Sequence, residues 1–308
     1  MKLAVLCPGQ GGQHRSMFRL ALQTAAGREA LAACTSAEFD PLAQVDADVD
    51  LFRNDIAQPL LCAHQLASWA ALRALLPPPE VFAGYSVGEL AAYGCVGALA
   101  PAATVRLARQ RAAAMDACAQ KPAPASGLAA LRGLGPAAAE AACRKFGLQV
   151  AIVNGDDHVI VGGPIDALAA LEHAAAVQGS VRVTRLRVGV AAHTSQLAAA
   201  QAAFAAALSA APLGDPPCPV LAGVDASLVR SREAAIKALA CQLAAPIQWA
   251  RCMDAAYERG CRVFLELGAC DAVSRIVSER FRDVAARSVS DFRQLESAAD
   301  WAARALEA

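Results

Sequence analysis

The stretch Gly84-Tyr85-Ser86-Val87-Gly88-Glu89-Leu90 holds a group able to do chemistry. The short apolar run Val81-Phe82-Ala83 before it reads as a buried strand, and Leu90-Ala91-Ala92-Tyr93 after it opens a helix. Glycines two before and two after a serine let the backbone turn sharply, leaving the hydroxyl exposed at a helix N-terminus. Free N–H groups and the positive end of the helix dipole can there stabilise an oxyanion. Gly-Ser turns are also ordinary loop features. A nucleophilic Ser86 therefore needs support from the rest of the chain.

Such a serine requires a base, usually histidine. Five are available: His14, His64, His158, His173 and His193. His64 falls in an apolar helix and suits a core position, while His158 and His173 fall in a segment read below as an insertion. His14 follows a glycine-rich turn, where it suits either a site or a loop. His193, in Val190-Ala191-Ala192-His193-Thr194-Ser195, stands where a strand is expected to give way to a helix. Open α/β sheets place their chemistry at such carboxyl ends, which makes His193 the preferred base. An α/β-hydrolase would continue with an acid and then a histidine near its C-terminus. No histidine follows His193, so a plain esterase fits poorly.

Pro8-Gly9-Gln10-Gly11-Gly12-Gln13 follows the first expected strand, Leu3 to Leu6. The third glycine of a dinucleotide-binding G-x-G-x-x-G is missing, its place being held by His14. The turn instead suits presentation of backbone N–H groups, and of the Gln10 amide, to something polar. Arg106, Arg109 and Arg111 share one helix, and periodicity does not choose among them.

With 56% hydrophobic and 18% charged residues among 308, the chain can bury a sizeable core and is not disordered. Its 28 basic and 28 acidic residues balance, which speaks against a nucleic-acid or anionic-membrane partner. The 11 cysteines include no C-x-x-C pair, so reduced, mostly buried thiols and a cytoplasmic location are expected, with no metal site. Leu3 to Cys7 is too short for the apolar region of a signal peptide. The uncharged run Val188 to Gly214 is mostly alanine and interrupted by His193, Gln196, Gln201 and Pro212, so no membrane span is expected.

These groups must be positioned by alternating elements. Helices are expected at Ala57–Leu76, stopped by Pro77-Pro78-Pro79, and at Pro101–Ala119. Gln120–Ser126 reads as a linker. Residues 127–188 then follow the order β-α-β-β-α-β: strands at 127–132, 149–154, 158–162 and 181–188, helices at 136–146 and 165–178. From His193 onward, helices are expected at 195–211, 232–244, 247–259, 271–281 and 292–306, with strands at 219–222, 262–267 and 284–289. The fold class is thus α/β. A large, mostly parallel, α/β-hydrolase-like domain (1–120 and 189–308) would carry an inserted ferredoxin-like subdomain (121–188).

At this point the residues resemble the malonyl-CoA:acyl-carrier-protein transacylases over nearly the whole chain. The landmarks are Pro8-Gly9-Gln10-Gly11, Gly84-Tyr85-Ser86-Val87-Gly88-Glu89, Arg111 in Arg109-Gln110-Arg111-Ala112, His193, Pro246-Ile247-Gln248-Trp249 and Leu265-Glu266-Leu267-Gly268. The resemblance implies that Ser86 carries the acyl group, that His193 exchanges the proton, and that Gln248 orients His193 through its backbone carbonyl. It implies an oxyanion hole from the N–H groups of Gln10 and Val87, and a grip by Arg111 on the malonyl carboxylate. Malonyl-CoA would be donor and the phosphopantetheine-type arm of an acyl-carrier protein acceptor, with no bound cofactor. Tyr85 stands where the fatty-acid-synthesis members usually have His. With Val87 and the ending Ala286-Arg287-Ser288-Val289-Ser290-Asp291-Phe292-Arg293, it looks more like the transacylase (epsilon) subunit of biotin-independent malonate decarboxylase. That branch loads the decarboxylase's own carrier subunit. A fatty-acid or polyketide transacylase is the alternative, and a serine hydrolase or silent carrier-binding module a more distant one. Ala192 before His193, where relatives often carry Phe or Ser, leaves the acyl preference open.

Overall fold

The computed structural model describes residues 1–119 and 125–307. Its strands are β1 (Lys2–Cys7), β2 (Val81–Gly84), β3 (Ser126–Arg132), β4 (Gln149–Val153), β5 (His158–Pro164), β6 (Arg182–Arg185), β7 (Val220–Leu221), β8 (Leu228–Val229), β9 (Cys261–Glu266) and β10 (Ala285–Ser288). The helices are α1 (Ala25–Cys34), α2 (Pro41–Asp46), α3 (Asn54–Leu72), α4 (Val87–Cys95), α5 (Pro101–Ala119) and α6 (Pro136–Phe146). They continue with α7 (Ile165–Gln178), α8 (Ala198–Ala210), α9 (Arg232–Cys241), α10 (Trp249–Glu258), α11 (Ala272–Arg280) and α12 (Leu295–Glu307).

One sheet runs β10-β9-β1-β2-β7-β8. All its pairings are parallel except the short β7–β8 hairpin. Helices cover both faces of a parallel sheet, so its strands read as continuous apolar runs rather than alternating ones. Leu3-Ala4-Val5-Leu6-Cys7 of β1 is buried at every position for this reason. Register Cys7↔Gly84 brings the carboxyl ends of β1 and β2 side by side, and the turn after each one therefore meets the other.

The second sheet is antiparallel, ordered β4-β5-β3-β6, with α6 and α7 in the same stretch of chain. It has its own apolar cluster around Leu131, Val159, Val161 and Leu168. One strand edge ties it to the rest of the protein. Ile247 donates its N–H to the Ala151 carbonyl at 2.9 Å, and Val153 donates to the Ile247 carbonyl at 2.8 Å.

Several elements differ from the sequence reading. Helices α1 and α2 were not expected; their start signals are local caps, Thr24 accepting from the Gly27 N–H and Asp40 from the N–H groups of Leu42 and Ala43. Helix α3 ends at Leu72, ahead of the prolines. The strand expected at 181–188 shrinks to Arg182–Arg185, so His193 does not end a strand but lies in a loop before a 3₁₀ turn at Ser195–Leu197. Helix α9 stops at Cys241 and α10 begins at Trp249, leaving Gln242 to Gln248 as a connection between them. Of the expected linker Gln120–Ser126, residues 120–124 lie outside the described residues, as does the 120/121 boundary, while Ser126 already opens β3. The alanine-rich run becomes loop and α8, whose Phe204 and Leu208 are buried in the main core. Among the described residues, no helix is long and apolar enough to cross a membrane.

Candidate active site

Ser86 is the N-cap of α4 and has φ 58° and ψ −119°. This is a strained backbone for a residue with a side chain, held in place by its surroundings. The glycines around it are steric requirements. A Cβ at Gly84 would collide with the backbone of Glu89, and one at Gly88 with the Cys7 carbonyl at the end of β1. The chain can therefore fold back on itself and lie against β1 only without these side chains. The Gly9 turn packs on the same spot: a Cβ there would lie 2.8 Å from the Tyr85 carbonyl oxygen and 3.5 Å from the Ser86 Cβ. Gln65 Nε2 donates to the Pro8 carbonyl at 2.8 Å and fixes that turn from α3. Val87 is the first residue of α4, so its N–H has no acceptor inside the helix.

His193 meets the serine across 107 positions of sequence, with its Nε2 2.8 Å from Ser86 Oγ. Its φ is 63°; among the described residues only Ser86, His193 and Ala226 are non-glycine residues with positive φ. Two of these three face each other, as expected where backbone strain serves a site. The His193 N–H donates to the Leu243 carbonyl at 2.9 Å, and the ring Nδ1 meets the Gln242 carbonyl. A carbonyl only accepts, so Nδ1 carries the proton and Nε2 is left free to accept from the Ser86 hydroxyl. Burial, then the nearby Arg111 charge, push the His193 pKa down to about 3.

The residue behind His193 corrects the sequence reading. Gln248 is the N-cap residue of α10; its N–H donates to the Gly223 carbonyl and its own carbonyl accepts from Cys252. The carbonyl on the histidine is that of Gln242, six residues earlier. Its side chain is fully buried and donates from Nε2 to the Ser86 carbonyl at 3.2 Å and to Glu89 Oε2 at 3.1 Å. Glu89 Oε2 also accepts from the Gly223 N–H at 3.0 Å. Burial raises the Glu89 pKa to about 8, against the lowering pull of the Gly223 N–H.

Of the three arginines on α5, burial selects one. Arg106 is exposed and Arg109 pairs with Glu38 at 2.6 Å, whereas Arg111 is 1% exposed. Its Nη2 reaches Ser86 Oγ at 3.3 Å and Gln242 Oε1 at 3.3 Å, while Nη1 donates to Gln58 Oε1 at 2.8 Å. Burial pulls its pKa down to about 10, which still leaves a cation at neutral pH. Sequence reading missed Gln58, Glu89 as a network member, and Gln242. For Gln58 a signal exists: a polar amide inside the apolar run of α3, next to Pro59, needs a buried partner.

The other histidines have separate roles. His64 is buried and its pKa falls to about 4 through desolvation, His14 bonds Ser16 and the Ala269 carbonyl, His158 lies 3.3 Å from Asn154 Nδ2, and His173 is exposed on α7. Among the described residues, no group of three or more His, Cys, Asp and Glu side chains is placed to hold a metal ion.

An addressable serine, a neutral histidine on its hydroxyl and a buried cation on the same oxygen are equipped for acyl transfer of an anionic acyl group. Residues 5–301 match the acyl transferase domain family, and the chain belongs to it. The malonyl CoA-acyl carrier protein transacylase of Mycobacterium tuberculosis is 31% identical over 305 residues, covering 97% of this chain and 99% of that protein. The malonyl CoA-acyl carrier protein transacylase structure from Coxiella burnetii superposes with a TM-score of 0.91 at 26% identity, covering 99% and 98% of the two chains. A malonyl-transacylase solved in complex with a type II PKS acyl-carrier protein gives 0.90 at 25% identity, covering 97% and 99%. Within the acyl transferases, the chain is thus an enzyme of the malonyl CoA-acyl carrier protein transacylase family.

Proposed function

We propose that this acyltransferase moves a malonyl group from malonyl-CoA to the thiol of an acyl carrier protein, by a ping-pong route through malonyl-Ser86. The observation that carries the reading is the pair of contacts on Ser86 Oγ, His193 Nε2 at 2.8 Å and Arg111 Nη2 at 3.3 Å. A base touches the nucleophile, and a cation stands where a carboxylate two bonds beyond the acyl carbon would come. In the first half-reaction Ser86 Oγ attacks the thioester carbon while His193 Nε2 takes the hydroxyl proton. The tetrahedral oxyanion is received by the N–H groups of Gln10 and Val87, a kind of donor worth about 3 kcal/mol each. Collapse expels the CoA thiolate, which leaves as thiol with the proton held on His193. The carrier thiol then repeats these steps in reverse and takes the malonyl group.

The imidazolium is stabilised by the Gln242 carbonyl, so no carboxylate third member is needed. Arg111 recognises the malonyl carboxylate; acetyl-CoA would leave this buried cation poorly paired. We further propose that residues 1–120 and 189–308 act as the catalytic body and 121–188 as an inserted ferredoxin-like subdomain. The free thiols of the described chain suit a reducing, cytoplasmic setting.

Two carriers remain. The relatives and the transacylase–carrier complex favour a dedicated acyl carrier protein of fatty-acid or polyketide synthesis. Tyr85, whose ring packs edge-on against Trp249 at 5.3 Å, and the C-terminal tail favour the malonate decarboxylase carrier as a second reading. Intact-protein mass spectrometry after brief exposure to malonyl-CoA, beside acetyl-CoA and methylmalonyl-CoA, tests the proposal. A malonyl adduct on Ser86 that either carrier discharges is expected, and the faster carrier identifies the branch. No adduct from any donor would return the protein to the class of silent carrier-binding modules.

A further inference from the structure

A guanidinium has five N–H donors, and a carboxylate is held best by two of them along one edge. The donors of Arg111 are unevenly occupied. Nη1 is committed to Gln58 Oε1 at 2.8 Å and to Met115 Sδ at 3.2 Å. Nη2 meets Gln242 Oε1 and Ser86 Oγ, both at 3.3 Å, and buried Nε has no partner. The contact to Ser86 Oγ is one that acylation would change, because the hydroxyl oxygen becomes an ester oxygen. The Nη1 corner is anchored, and the Nε–Nη2 edge remains for a ligand.

Gln58 is placed to do this anchoring. It is 0% exposed near the N-terminus of α3, and its Nε2 lies 3.4 Å from Met115 Sδ, which turns its Oε1 toward Arg111. One turn earlier Asn54 Nδ2 donates to Asp116 Oδ1 at 2.7 Å, so one face of α3 grips α5 at Arg111, Met115 and Asp116. The residue type matters. A carboxylate in place of the amide would form an ion pair with Arg111 and compete with an incoming carboxylate. A hydrocarbon would leave a buried N–H unsatisfied. A neutral acceptor orients the fork and keeps its charge available.

We infer that Gln58 is a positioning residue for malonyl recognition, setting which edge of the Arg111 fork meets the acyl carboxylate. The inference rests on the malonyl transfer proposed above. The test uses Gln58→Met, which keeps length and volume but replaces the amide oxygen with a thioether, a weak acceptor at most, and Gln58→Asn, which keeps the amide but draws it back by one methylene. Both should lower kcat/KM for malonyl-CoA about tenfold, mainly through KM, as expected for a hydrogen bond to a charged group. Labelling of Ser86 by a small neutral fluorophosphonate, which uses Ser86 and His193 but not a carboxylate grip, should stay within about threefold of wild type on the same reasoning. Gln58→Glu should lose more malonyl activity than either. In an Arg111→Ala background, Gln58→Met should add no further loss, since two residues acting through one contact are not additive.

An unchanged malonyl KM in both variants would overturn the inference. So would losses that add to Arg111→Ala, or labelling that falls in parallel with transfer, the mark of a merely structural role. Failure of the wild type to form malonyl-Ser86 would instead remove the parent reading, which the wild-type control makes visible separately.

Discussion

The low pKa of His193 predicts an acid limb far from the one an ordinary histidine gives. An imidazole of pKa near 6.5 is only about 3% neutral at pH 5, so a rate that needs the free base falls about thirtyfold from its plateau. In this site the ring is buried and Arg111 lies beside it, and the pKa sits at about 3. Nearly all of the base is then still available at pH 5. The measurement is the second-order rate of Ser86 labelling by a neutral fluorophosphonate between pH 4.5 and 8, which reports the free enzyme without a titrating substrate. The expected profile is flat from pH 8 to 5. Arg111→Met should raise the His193 pKa by removing a neighbouring positive charge, the smaller cause after burial, and so move the acid limb toward the measured range. The same shift has a stability consequence. The unfolded histidine binds a proton below about pH 6.5 and the folded one does not, so its contribution is complete above pH 6.5 and lost as pH falls. The loss by pH 5 is about 2 kcal/mol. A wild-type labelling profile with its midpoint near 6.5 would refute the reasoning, because burial and Arg111 would then not be controlling the base.

Gly88→Ala should destabilise by about 1–3 kcal/mol or more, read as a lower Tm, because its methyl group meets the Cys7 carbonyl and pushes β1 away from α4. Labelling of Ser86 should fall with it, since the same contact holds the two turns together. Gln242→Ala should lower both Tm and malonyl transfer by stranding buried groups on Arg111 and Glu89, about 1–3 kcal/mol by the usual cost of an unsatisfied partner. Gln248→Ala should change transfer little, and equal damage from both would contradict the network that the Gln242 side chain makes with Arg111, Ser86 and Glu89. Glu89 has a folded pKa of about 8, above its unfolded value, so its contribution is present at low pH and lost as pH rises through 8. Wild-type Tm should therefore drop relative to Glu89→Gln between pH 6 and 9, and a constant difference would count against it. Arg111→Lys should reduce malonyl acylation by about 1–3 kcal/mol in kcat/KM, since an ammonium cannot reproduce the fork, and unchanged acylation would sink the carboxylate-grip reading.

Ser86 is legible in the sequence because its requirements are local. A strained turn between strand and helix needs small residues two positions away on each side, and Gly84 and Gly88 supply them in one five-residue window. The strand–helix alternation is legible for a similar reason: buried parallel strands are short apolar runs and helices keep their own period. Helices α1 and α2 are not, since short caps at Thr24 and Asp40 carry little periodic signal. His193 is legible by elimination among five histidines, yet its setting is not. The strand expected before it ends at Arg185, and a loop with positive φ presents the ring instead.

What the sequence determines alone is therefore the chemistry that rests on side-chain type within a short window: the serine turn, the glycine-rich turn and the supply of bases and cations. Tertiary structure alone decides which member of each set is used. Arg106, Arg109 and Arg111 are alike in sequence, and only packing buries the third beneath Ser86 while leaving the others toward solvent or Glu38. Gln242 and Gln248 lie on opposite sides of Pro246, and the contact to His193 is made by a backbone carbonyl, a group every residue possesses. No residue type can announce that role. It is set by where α9 ends and by the Ile247 pairing with β4, which together aim one peptide of that connection at the histidine.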